Sequence, residues 1–396
     1  MREAVIVSSK RTPLGKGYRG SLNLTRPDDL AAHAIRAALD AVPSVPDEDI
    51  ADVLLGCGLP EGPSGHNVAR VSLLRAGLPS SVPGATINRF CSSGLNTIAL
   101  SAQRIMAGEA DVMIGGGVES ITLVQNQNFR SVDLYNTELQ EQWPGVYLSM
   151  GETAEVVAKR YGISREDQDA YSLVSQQRTA AAQEAGWYDD DIVPIKVDRA
   201  VKQEDGEMGV EVGYVFEHDE ANRPDTTIEG LAKLPPVFDP KDGSVTAGNA
   251  SQFADGASAT VVASADYAED HGLEPLGWFR GIQFAGVDPD EMGIGPALAV
   301  PKLLASTGMR LDDIDIIELN EAFASQVLYC QRALEIPNDK LNPIGGSISI
   351  GHPYGMTGSR MVGQLLRHLK RTGGRYGIAT MCVGGGMGAA GLFEVA

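Results

Sequence analysis

The sequence predicts an α/β protein built from two similar halves. Short apolar runs that end in glycine clusters alternate with helical patterns, which is typical of strand–helix–strand units in a covered, mostly parallel sheet. The pattern also repeats: Asp49-Ile50 opens an apolar run in the first half, and Asp313-Ile314 opens one in the second. At 396 residues, 43% of them hydrophobic, the chain has enough apolar material for two or three domains.

A cysteine stands at a predicted strand-to-helix turn in the first half. Residues 85–90 suit a buried strand, and apolar residues then recur at helical spacing at Leu95, Ile98, Ala99, Ala102, Ile105 and Met106. Backbone N–H groups and the positive end of the helix dipole stabilise a thiolate there, so we expect the pKa of Cys91 to lie below its usual value of about 8.5. The local pattern fits a buried packing cysteine equally well.

The second half places a histidine where the first half has Cys91. Residues 347–350 lead to Gly351-His352-Pro353, and a helical pattern follows at Met361, Val362, Leu365, Leu366 and Leu369. In each half an apolar run then ends in a glycine cluster, at 112–118 and at 378–387. If the halves pack about a pseudo-twofold axis, both helix entrances converge on one cleft. The repetition therefore predicts that Cys91 and His352 meet.

Between the halves lies a stretch of different character, roughly 121–243. It is rich in polar and acidic residues and lacks the strand rhythm that ends in glycine, so we expect an inserted loop domain. Within it, Ser164 followed by Glu166 and Asp167 predicts a helix start of the capping-box type, with the helix continuing to about Glu184.

Composition excludes several classes of protein. The formal net charge of −20 argues against a nucleic-acid surface and against attraction to anionic membranes. No apolar run approaches the roughly 20 residues of a membrane-spanning helix. Residues 1–7 begin with a strand-like run instead of a signal peptide, so we expect a cytoplasmic protein without membrane insertion. The four cysteines, Cys57, Cys91, Cys330 and Cys382, lack metal-ligand spacing, which predicts free thiols and no metal.

Four segments together suggest acyl-transfer chemistry. They are the Cys91 turn, Asn320-Glu321-Ala322-Phe323, Gly351-His352-Pro353 and Cys382-Val383-Gly384-Gly385. A cysteine with a histidine is a nucleophile–base pair, and a thioester needs N–H donors at its developing oxyanion, which glycines can expose. A second thiol facing the first suits proton transfer to or from a carbon atom or a leaving thiolate.

These segments, in this order and spacing, resemble the thiolase family. Further matching motifs are Arg11-Thr12-Pro13, Gly116-Gly117-Val118-Glu119-Ser120, Met150-Gly151-Glu152-Thr153-Ala154-Glu155 and Thr246-Ala247-Gly248-Asn249-Ala250-Ser251. The resemblance implies the thiolase fold, with two pseudo-symmetric βαβαβαββ halves in a five-layer αβαβα core. Its implied domains are an N-terminal half at 1–120 with 244–268, a CoA-binding loop domain at 121–243 and a C-terminal half at 269–396.

The resemblance also implies roles for single residues. Cys91 matches the nucleophile, His352 its activating base, and Cys382 the second acid/base. Asn320 matches the residue that, beside His352, holds a water for one oxyanion hole, and the N–H groups of Cys91 and Gly384 match the other hole. The tunnel for pantetheine and the acyl chain maps to Met150, Phe238, Ala247, Ala250, Ser251 and Phe323, and the nucleotide end of CoA to Arg223.

The implied activity is reversible thiolytic cleavage of 3-ketoacyl-CoA, or Claisen condensation of acyl-CoA, by a homodimer or homotetramer. CoA is then a substrate, and no cofactor is needed. We expect an acetyl-CoA C-acyltransferase of fatty-acid degradation. The alternative is an acetoacetyl-CoA-specific acetyl-CoA C-acetyltransferase; Ser149 stands where those enzymes carry a histidine, which weakens a strict two-carbon specificity. The motif after His352, with Tyr354 and Met356, is bulkier than the family pattern.

Two more remote functions remain. A decarboxylating ketoacyl synthase usually has a second histidine where this chain has Asn320, and Cys382 also argues against it. A non-catalytic acyl-CoA-binding protein on the same scaffold would tolerate loss of Cys91 or Cys382, yet the chain retains both.

Overall fold

The computed structural model describes residues 2–395, which form a large sheet with helices on both faces. The strands are Ala4–Arg11 (β1), Gly15–Lys16 (β2), Ile50–Gly56 (β3), Gly84–Ile87 (β4), Val112–Ser120 (β5), Ile195–Lys202 (β6), Met208–Phe216 (β7), Ala254–Ser264 (β8), Gly277–Gly286 (β9), Ile316–Leu319 (β10), Tyr376–Val383 (β11) and Met387–Glu394 (β12). The helices are Pro27–Asp40 (α1), Val68–Arg75 (α2), Ser93–Met106 (α3), Ile121–Val124 (α4), Thr137–Gln142 (α5), Met150–Arg160 (α6), Arg165–Glu184 (α7), Ile228–Ala232 (α8), Ala265–Asp270 (α9), Gly295–Thr307 (α10), Ala324–Leu334 (α11), Ser347–Ile350 (α12) and Tyr354–Thr372 (α13).

The sheet has two halves with matching strand orders. One half runs β4-β3-β5-β8-β1 and the other β10-β11-β12-β9, and the halves join where Val5 and Ile6 of β1 pair with β9. β5 and β11 hold equivalent places, as do β8 and β12. Even the outer strand β4 has a counterpart, because Leu341 forms a parallel bridge with Ile317 of β10. The predicted repetition of the two halves is therefore visible in the topology.

The prediction of a mostly parallel sheet is wrong. Within residues 2–395 only the pairs β3–β4, β3–β5 and β10–β11 are parallel, while the strands around β1, β8, β9 and β12 pair antiparallel. The near-continuous apolar runs that suggested parallel strands arise because helices cover both faces of the sheet, which buries every residue of β5 and β8.

The layers follow the order αβαβα of the thiolase fold. α1 and α2 cover the outer face of the first half-sheet, and α10 and α11 cover that of the second. α3 and α13 lie between the half-sheets, where Leu95 and Ile98 of α3 pack with Leu365 and Leu366 of α13 and with both half-sheets. The apolar residues at helical spacing that predicted these two helices thus form the central core.

The entrances of α3 and α13 are held together by glycines. A Cβ on Gly94 would lie 2.8 Å from the carbonyl oxygen of Gly355, and a Cβ on Gly355 would lie 2.6 Å from that of Gly56. A Cβ on Gly358 would clash with the backbone of Leu95. Because these backbones touch, the residues just before each helix meet in one cleft.

The segment 121–243 carries α4 to α8 and the hairpin β6–β7. α7 spans Arg165–Glu184, with the Ser164 hydroxyl accepting from the Asp167 N–H, so the predicted start and end are both confirmed. The segment is tied to the core by the buried ion pair between Arg11 and Asp219, 2.7 Å long. None of the helices in residues 2–395 combines the length and apolar character needed to cross a lipid bilayer.

Candidate active site

Cys91 lies in a tight 3-10 turn, Phe90–Ser92, directly before α3. Phe90 has φ of 42°, a conformation that non-glycine residues rarely adopt, which marks a strained turn of the kind found at functional sites. Side chains brace it: Asn88 Oδ1 accepts from the Phe90 N–H at 2.8 Å, and the Ser93 hydroxyl donates to the Phe90 carbonyl at 2.7 Å. The preceding strand β4 ends at Ile87 and is half-buried because it is the outer strand of the sheet, unlike the buried strand predicted over 85–90.

The environment of Cys91 reverses the expected direction of its pKa shift. Burial raises the pKa of the Cys91 thiol to about 11, although the N–H groups of Gly384 and of Cys91 itself act to lower it. The predicted N–H donors are therefore present, but desolvation outweighs them. Cys91 therefore rests as a neutral thiol, which must lose its proton before the sulfur can act as a nucleophile.

His352 is held as a neutral imidazole with a defined tautomer. Its Nδ1 lies 2.8 Å from the hydroxyl of Thr357, and that hydroxyl donates to the Pro353 carbonyl, so Nδ1–H is the donor toward Thr357. Its Nε2 lies 3.3 Å from Nδ2 of Asn320, an amide donor. Burial, and then the positive charge of Arg360, lower the pKa of His352 to about 3. Nε2 therefore presents a lone pair, as a general base requires.

Asn320 follows β10 and has its amide orientation set by Ser347. The Ser347 hydroxyl donates to Asn320 Oδ1 at 2.6 Å, which turns Nδ2 toward His352. The Asn320 N–H donates to the Thr380 carbonyl of β11 at 2.9 Å, which fixes the backbone. Ser347 thus holds the side-chain oxygen of Asn320, and the amide NH₂ group of Asn320 faces the imidazole of His352.

Cys382 is fully buried near the end of β11. It belongs to an apolar cluster with Phe323, Met292 and Met150. Burial is the main cause that raises the pKa of Cys382 well above its usual value, and the neighbouring Cys91 sulfur raises it further. Cys382 therefore lies in an apolar setting that favours its neutral thiol form.

The turn after Cys382 brings Gly384 next to Met150 and to the Cys91 sulfur. Gly385 and Gly386 have φ of 79° and 84°, a backbone that favours glycine. A Cβ on Gly384 would lie 3.4 Å from the Met150 sulfur, and the Gly384 N–H acts on the Cys91 sulfur. The glycine turn therefore directs the Gly384 N–H toward the Cys91 sulfur.

One cavity of about 430 Å³ opens onto Cys91 and His352. All six residues assigned to the tunnel line it: Met150, Phe238, Ala247, Ala250, Ser251 and Phe323. Phe238 lies over Gly151, where any Cβ would clash with the ring. The cavity wall is predominantly apolar, and the Cys91 thiol and the His352 imidazole are part of it.

Comparison with known proteins identifies the family of this chain. The family model described as "Thiolase, N-terminal domain" matches residues 4–266, and "Thiolase, C-terminal domain" matches residues 273–395. The chain belongs to the thiolase family. It is an acyltransferase of acyl-CoA metabolism, as the resemblance predicted.

The relatives extend over the whole chain. This thiolase is 46% identical to the 3-ketoacyl-CoA thiolase of Bacillus subtilis, with all of both chains covered. It is 45% identical to the peroxisomal 3-ketoacyl-CoA thiolase B of Mus musculus, over 99% of this chain and 91% of the relative. The crystal structure of human mitochondrial 3-ketoacyl-CoA thiolase in complex with CoA matches with a TM-score of 0.88 at 39% identity, covering 100% of this chain and 98% of that one. The predicted thiolase fold is confirmed.

Arg223 of this thiolase lies apart from the other predicted residues. It is exposed and does not line the cavity; its backbone N–H donates to Gln176 Oε1 of α7 at 2.8 Å. The fold thus anchors its backbone and leaves the guanidinium in solvent.

Two buried carboxylates of this thiolase stabilise the scaffold. Glu119 accepts from the N–H groups of Gly58 and Gly355, both at 2.8 Å, and so joins the end of β3 to the start of α13. Glu321 accepts from the hydroxyls of Tyr171 and Ser175 of α7, both at 2.7 Å. These contacts agree with the structural role that carboxylates in such positions usually have.

Several residues that shape this site were not predicted. Thr357 and Ser347 orient His352 and Asn320, and Gln125 lines the cavity. Tyr354 lines it as well, and it belongs to the motif that is bulkier than the family pattern. A sequence signal existed for Thr357: a hydroxyl one helical turn after Pro353 can reach back to the preceding residues. No local pattern reveals Ser347 or Gln125, because their partners come from other segments of the chain.

Proposed function

We propose that this thiolase cleaves 3-ketoacyl-CoA with free CoA, reversibly, as an acetyl-CoA C-acyltransferase of fatty-acid degradation. The observation that carries the proposal is that Cys91 and His352 line one apolar cavity, while Cys382 is buried against Met150 and Phe323 of its wall. A cavity of about 430 Å³ with several aromatic walls supports acyl chains longer than acetyl. The acetoacetyl-specific alternative has less support, because Ser149 caps α6 where a histidine would stand.

The first half-reaction transfers the acyl group to Cys91. His352 Nε2 takes the thiol proton while the sulfur attacks the 3-keto carbon. The bond between C2 and C3 then breaks, the acyl group remains on Cys91 as a thioester, and the leaving enolate of acetyl-CoA takes a proton from Cys382. Acetyl-CoA departs, which leaves the acyl-enzyme and the Cys382 thiolate.

The second half-reaction returns the acyl group to CoA. The Cys382 thiolate removes the proton of the CoA thiol, and the CoA sulfur attacks the thioester carbonyl. Cys91 leaves as a thiolate and recovers its proton from His352, so both cysteines regain their starting state. The net change converts 3-ketoacyl-CoA and CoA into acyl-CoA and acetyl-CoA.

N–H donors stabilise the negative charge that develops at each carbonyl oxygen. We assign the N–H groups of Cys91 and Gly384 to the oxygen of the acyl group on Cys91, since both act on that sulfur. The imidazolium Nε2–H of His352 and a water held by Asn320 serve the thioester oxygen of the acetyl unit. Removing one such donor typically costs about 10²–10³ in rate. The thioester itself acidifies the α-carbon, so the proposal uses neither a metal nor a cofactor.

We assign three domains to the chain: an N-terminal half at 1–120 with 244–268, a loop domain at 121–243 and a C-terminal half at 269–396. CoA is assigned to the cavity and to the loop domain. Met150 and Phe238 of the loop domain line the cavity, and the CoA complex of the human mitochondrial structure supports such binding. Arg223, exposed and anchored by Gln176, is the candidate for the nucleotide phosphates. The net charge of −20 supports a small-molecule partner instead of nucleic acid.

The open edge of β4, the outer strand of the sheet, supports a homodimer, because an unpaired strand edge is a template for another chain. A tetramer would need a second contact, which we assign to the segment 121–243. The four free thiols suit a reducing compartment, and we place the protein in the cytoplasm.

Thiolysis of 3-ketoacyl-CoA substrates of four to sixteen carbons tests the function. Loss of the ketoacyl enolate absorbance with free CoA should be fastest above four carbons, and Cys91→Ala should abolish both turnover and the mass increase of the acyl-enzyme. Turnover confined to acetoacetyl-CoA would favour the alternative. No turnover of any chain by folded protein, or an acylated Cys91→Ala variant, would overturn the proposal.

A further inference from the structure

Arg360 is a buried arginine on the second turn of α13, the helix whose entrance carries His352. Only 3% of its surface is exposed. Its Nη2 donates to the Ser347 hydroxyl at 3.4 Å, and its Nη1 donates to Gln364 Oε1 at 2.9 Å. Gln364 Nε2 in turn donates to Glu318 Oε2 at 3.1 Å, so a neutral amide separates the guanidinium from this carboxylate. A buried charge is costly unless hydrogen bonds compensate it, so the partners of Arg360 show where its charge acts.

A chain of hydrogen bonds joins Arg360 to the imidazole of His352. The Ser347 hydroxyl donates to Asn320 Oδ1 at 2.6 Å, and Asn320 Nδ2 lies 3.3 Å from His352 Nε2. A guanidinium has only N–H donors and no acceptor, so Ser347 accepts from Arg360 and its single proton is left for Asn320. Every side chain in this chain is buried, and buried hydrogen bonds that point one way strengthen one another. The charged end of the chain therefore sets the direction of each bond.

The direction of the Asn320 amide matters once His352 is protonated. In the resting state Nε2 offers a lone pair, which suits the amide N–H of Asn320. After Nε2 takes the Cys91 proton in the proposed reaction, a reversed amide would accept from Nε2–H through Oδ1, and the imidazolium would be lost to the thioester oxygen. Reversal also breaks the bond from Ser347 to Oδ1 and leaves a buried hydroxyl proton without an acceptor beside a positive charge, which is unfavourable.

From this arrangement we infer that Arg360 is a positioning residue, which acts through Ser347 to keep the Asn320 amide N–H group turned toward the imidazole and the acetyl unit while the imidazole is protonated. The inference rests on the proposed thiolase function and adds Arg360 to it. It concerns the step that forms or uses the enolate of the acetyl unit, because the acyl group on Cys91 has separate N–H donors.

The test compares Arg360→Met and Ser347→Ala with Ser349→Ala. Ser349 is a matched control, since it is also buried in α12 but its hydroxyl bonds to Thr179 of α7, outside the chain. Steady-state thiolysis of a 3-ketoacyl-CoA reports the enolate step, and the rate of mass increase on mixing with acyl-CoA reports acylation of Cys91. We expect the first two variants to lower kcat of thiolysis by about tenfold, with KM and the acylation rate unchanged. The loss is smaller than the 10²–10³ typical of deleting such a donor, because the amide itself remains.

A double variant shows whether Arg360 acts through Ser347. If it does, Arg360→Met combined with Ser347→Ala should be no slower than the slower single variant, because the second change removes a contact that is already broken. Arg360→Lys keeps a charged donor and should recover part of the rate. Ser347→Ala removes only a hydroxyl, so it tests the chain even where Arg360→Met fails to fold.

The outcomes separate the two proposals. If wild-type protein turns over no 3-ketoacyl-CoA, the thiolase proposal itself fails. If it does turn over, and Ser347→Ala is as active as Ser349→Ala, the positioning inference is wrong. Equal losses in acylation and thiolysis would show a general loss of structure, and losses that multiply in the double variant would show that Arg360 acts independently of Ser347. Either result would overturn the inference.

Discussion

Gly117 of β5 lies directly against Gly355 at the start of α13. A Cβ at position 117 would clash with the Gly355 carbonyl oxygen, and one at position 355 would lie 2.6 Å from the Val118 carbonyl. Gly355 is three residues from His352, so this contact of two glycines sets how closely the imidazole approaches the turn that carries Cys91. The first half of the chain thus positions the imidazole supplied by the second.

We expect Gly117→Ala to push α13 away from β5. Overpacking of this kind costs about 1–3 kcal/mol, and the displaced His352 should also lower kcat. The matched control is Gly286→Ala at the end of β9, where a Cβ would meet no atom within 4 Å. Thermal unfolding and thiolysis of both variants check this; equal melting temperatures for the two would contradict the role of the contact.

Thr357→Val should impair His352 without touching substrate. The valine has the shape of threonine but leaves Nδ1–H without its acceptor at 2.8 Å, so the ring loses its fixed tautomer. An unpaired buried donor costs the folded protein about 1–3 kcal/mol. Loss of the fixed tautomer should lower kcat by about tenfold or more, because proton transfer by a positioned group is lost. Thr357→Ser keeps the hydroxyl and should restore most of the rate. A valine variant as active as the serine variant would exclude this positioning role.

The stability of the protein should depend on pH through His352. Its folded pKa of about 3 lies below the unfolded value of about 6.5, so between these values the unfolded state binds more protons and acidification favours unfolding. The variant His352→Asn lacks the imidazole and therefore lacks this dependence of stability on pH. We expect the stability of the variant relative to wild type to rise by about 2 kcal/mol from pH 7 to pH 5. Urea titrations at both pH values measure it, and a constant difference would show that His352 is not buried as a neutral group.

Cys382→Ala should trap the acyl-enzyme. Cys91 and His352 remain, so acyl-CoA still acylates Cys91, but the proton needed at the α-carbon is missing and carbon–carbon bond formation or cleavage stalls. Cys330→Ala is the matched control, since Cys330 is equally buried but packs among apolar residues of α10 and α11. Intact-protein mass after mixing with acyl-CoA should show stable acylation of the first variant together with loss of turnover. A Cys382→Ala protein that turns over at the control rate would remove Cys382 from the mechanism.

Much of the fold was predictable from sequence: the α/β class, the two repeated halves, the bounds of α7 and the central helices α3 and α13. The helices depend on local periodicity or on a capping residue such as Ser164, and these signals are contained within one element. The class and the two halves depend on the repetition of such patterns along the chain. The thiolase motifs added the family, which the comparisons confirm, and a prediction of its catalytic residues. The direction of the strands was not predictable, because burial on both faces produces the same apolar run in parallel and antiparallel strands.

The sequence by itself determined that a cysteine and a histidine stand at equivalent helix entrances. Only the tertiary structure decided their protonation. The helix entrance supplies the N–H groups that favour a thiolate, yet packing by segments distant in sequence removes water from Cys91 and raises its pKa. The same packing gives His352 its partners Thr357 and Asn320 and keeps it neutral. Desolvation depends on everything that surrounds a group, so the residues adjacent to Cys91 or His352 in sequence do not determine how far that group is desolvated.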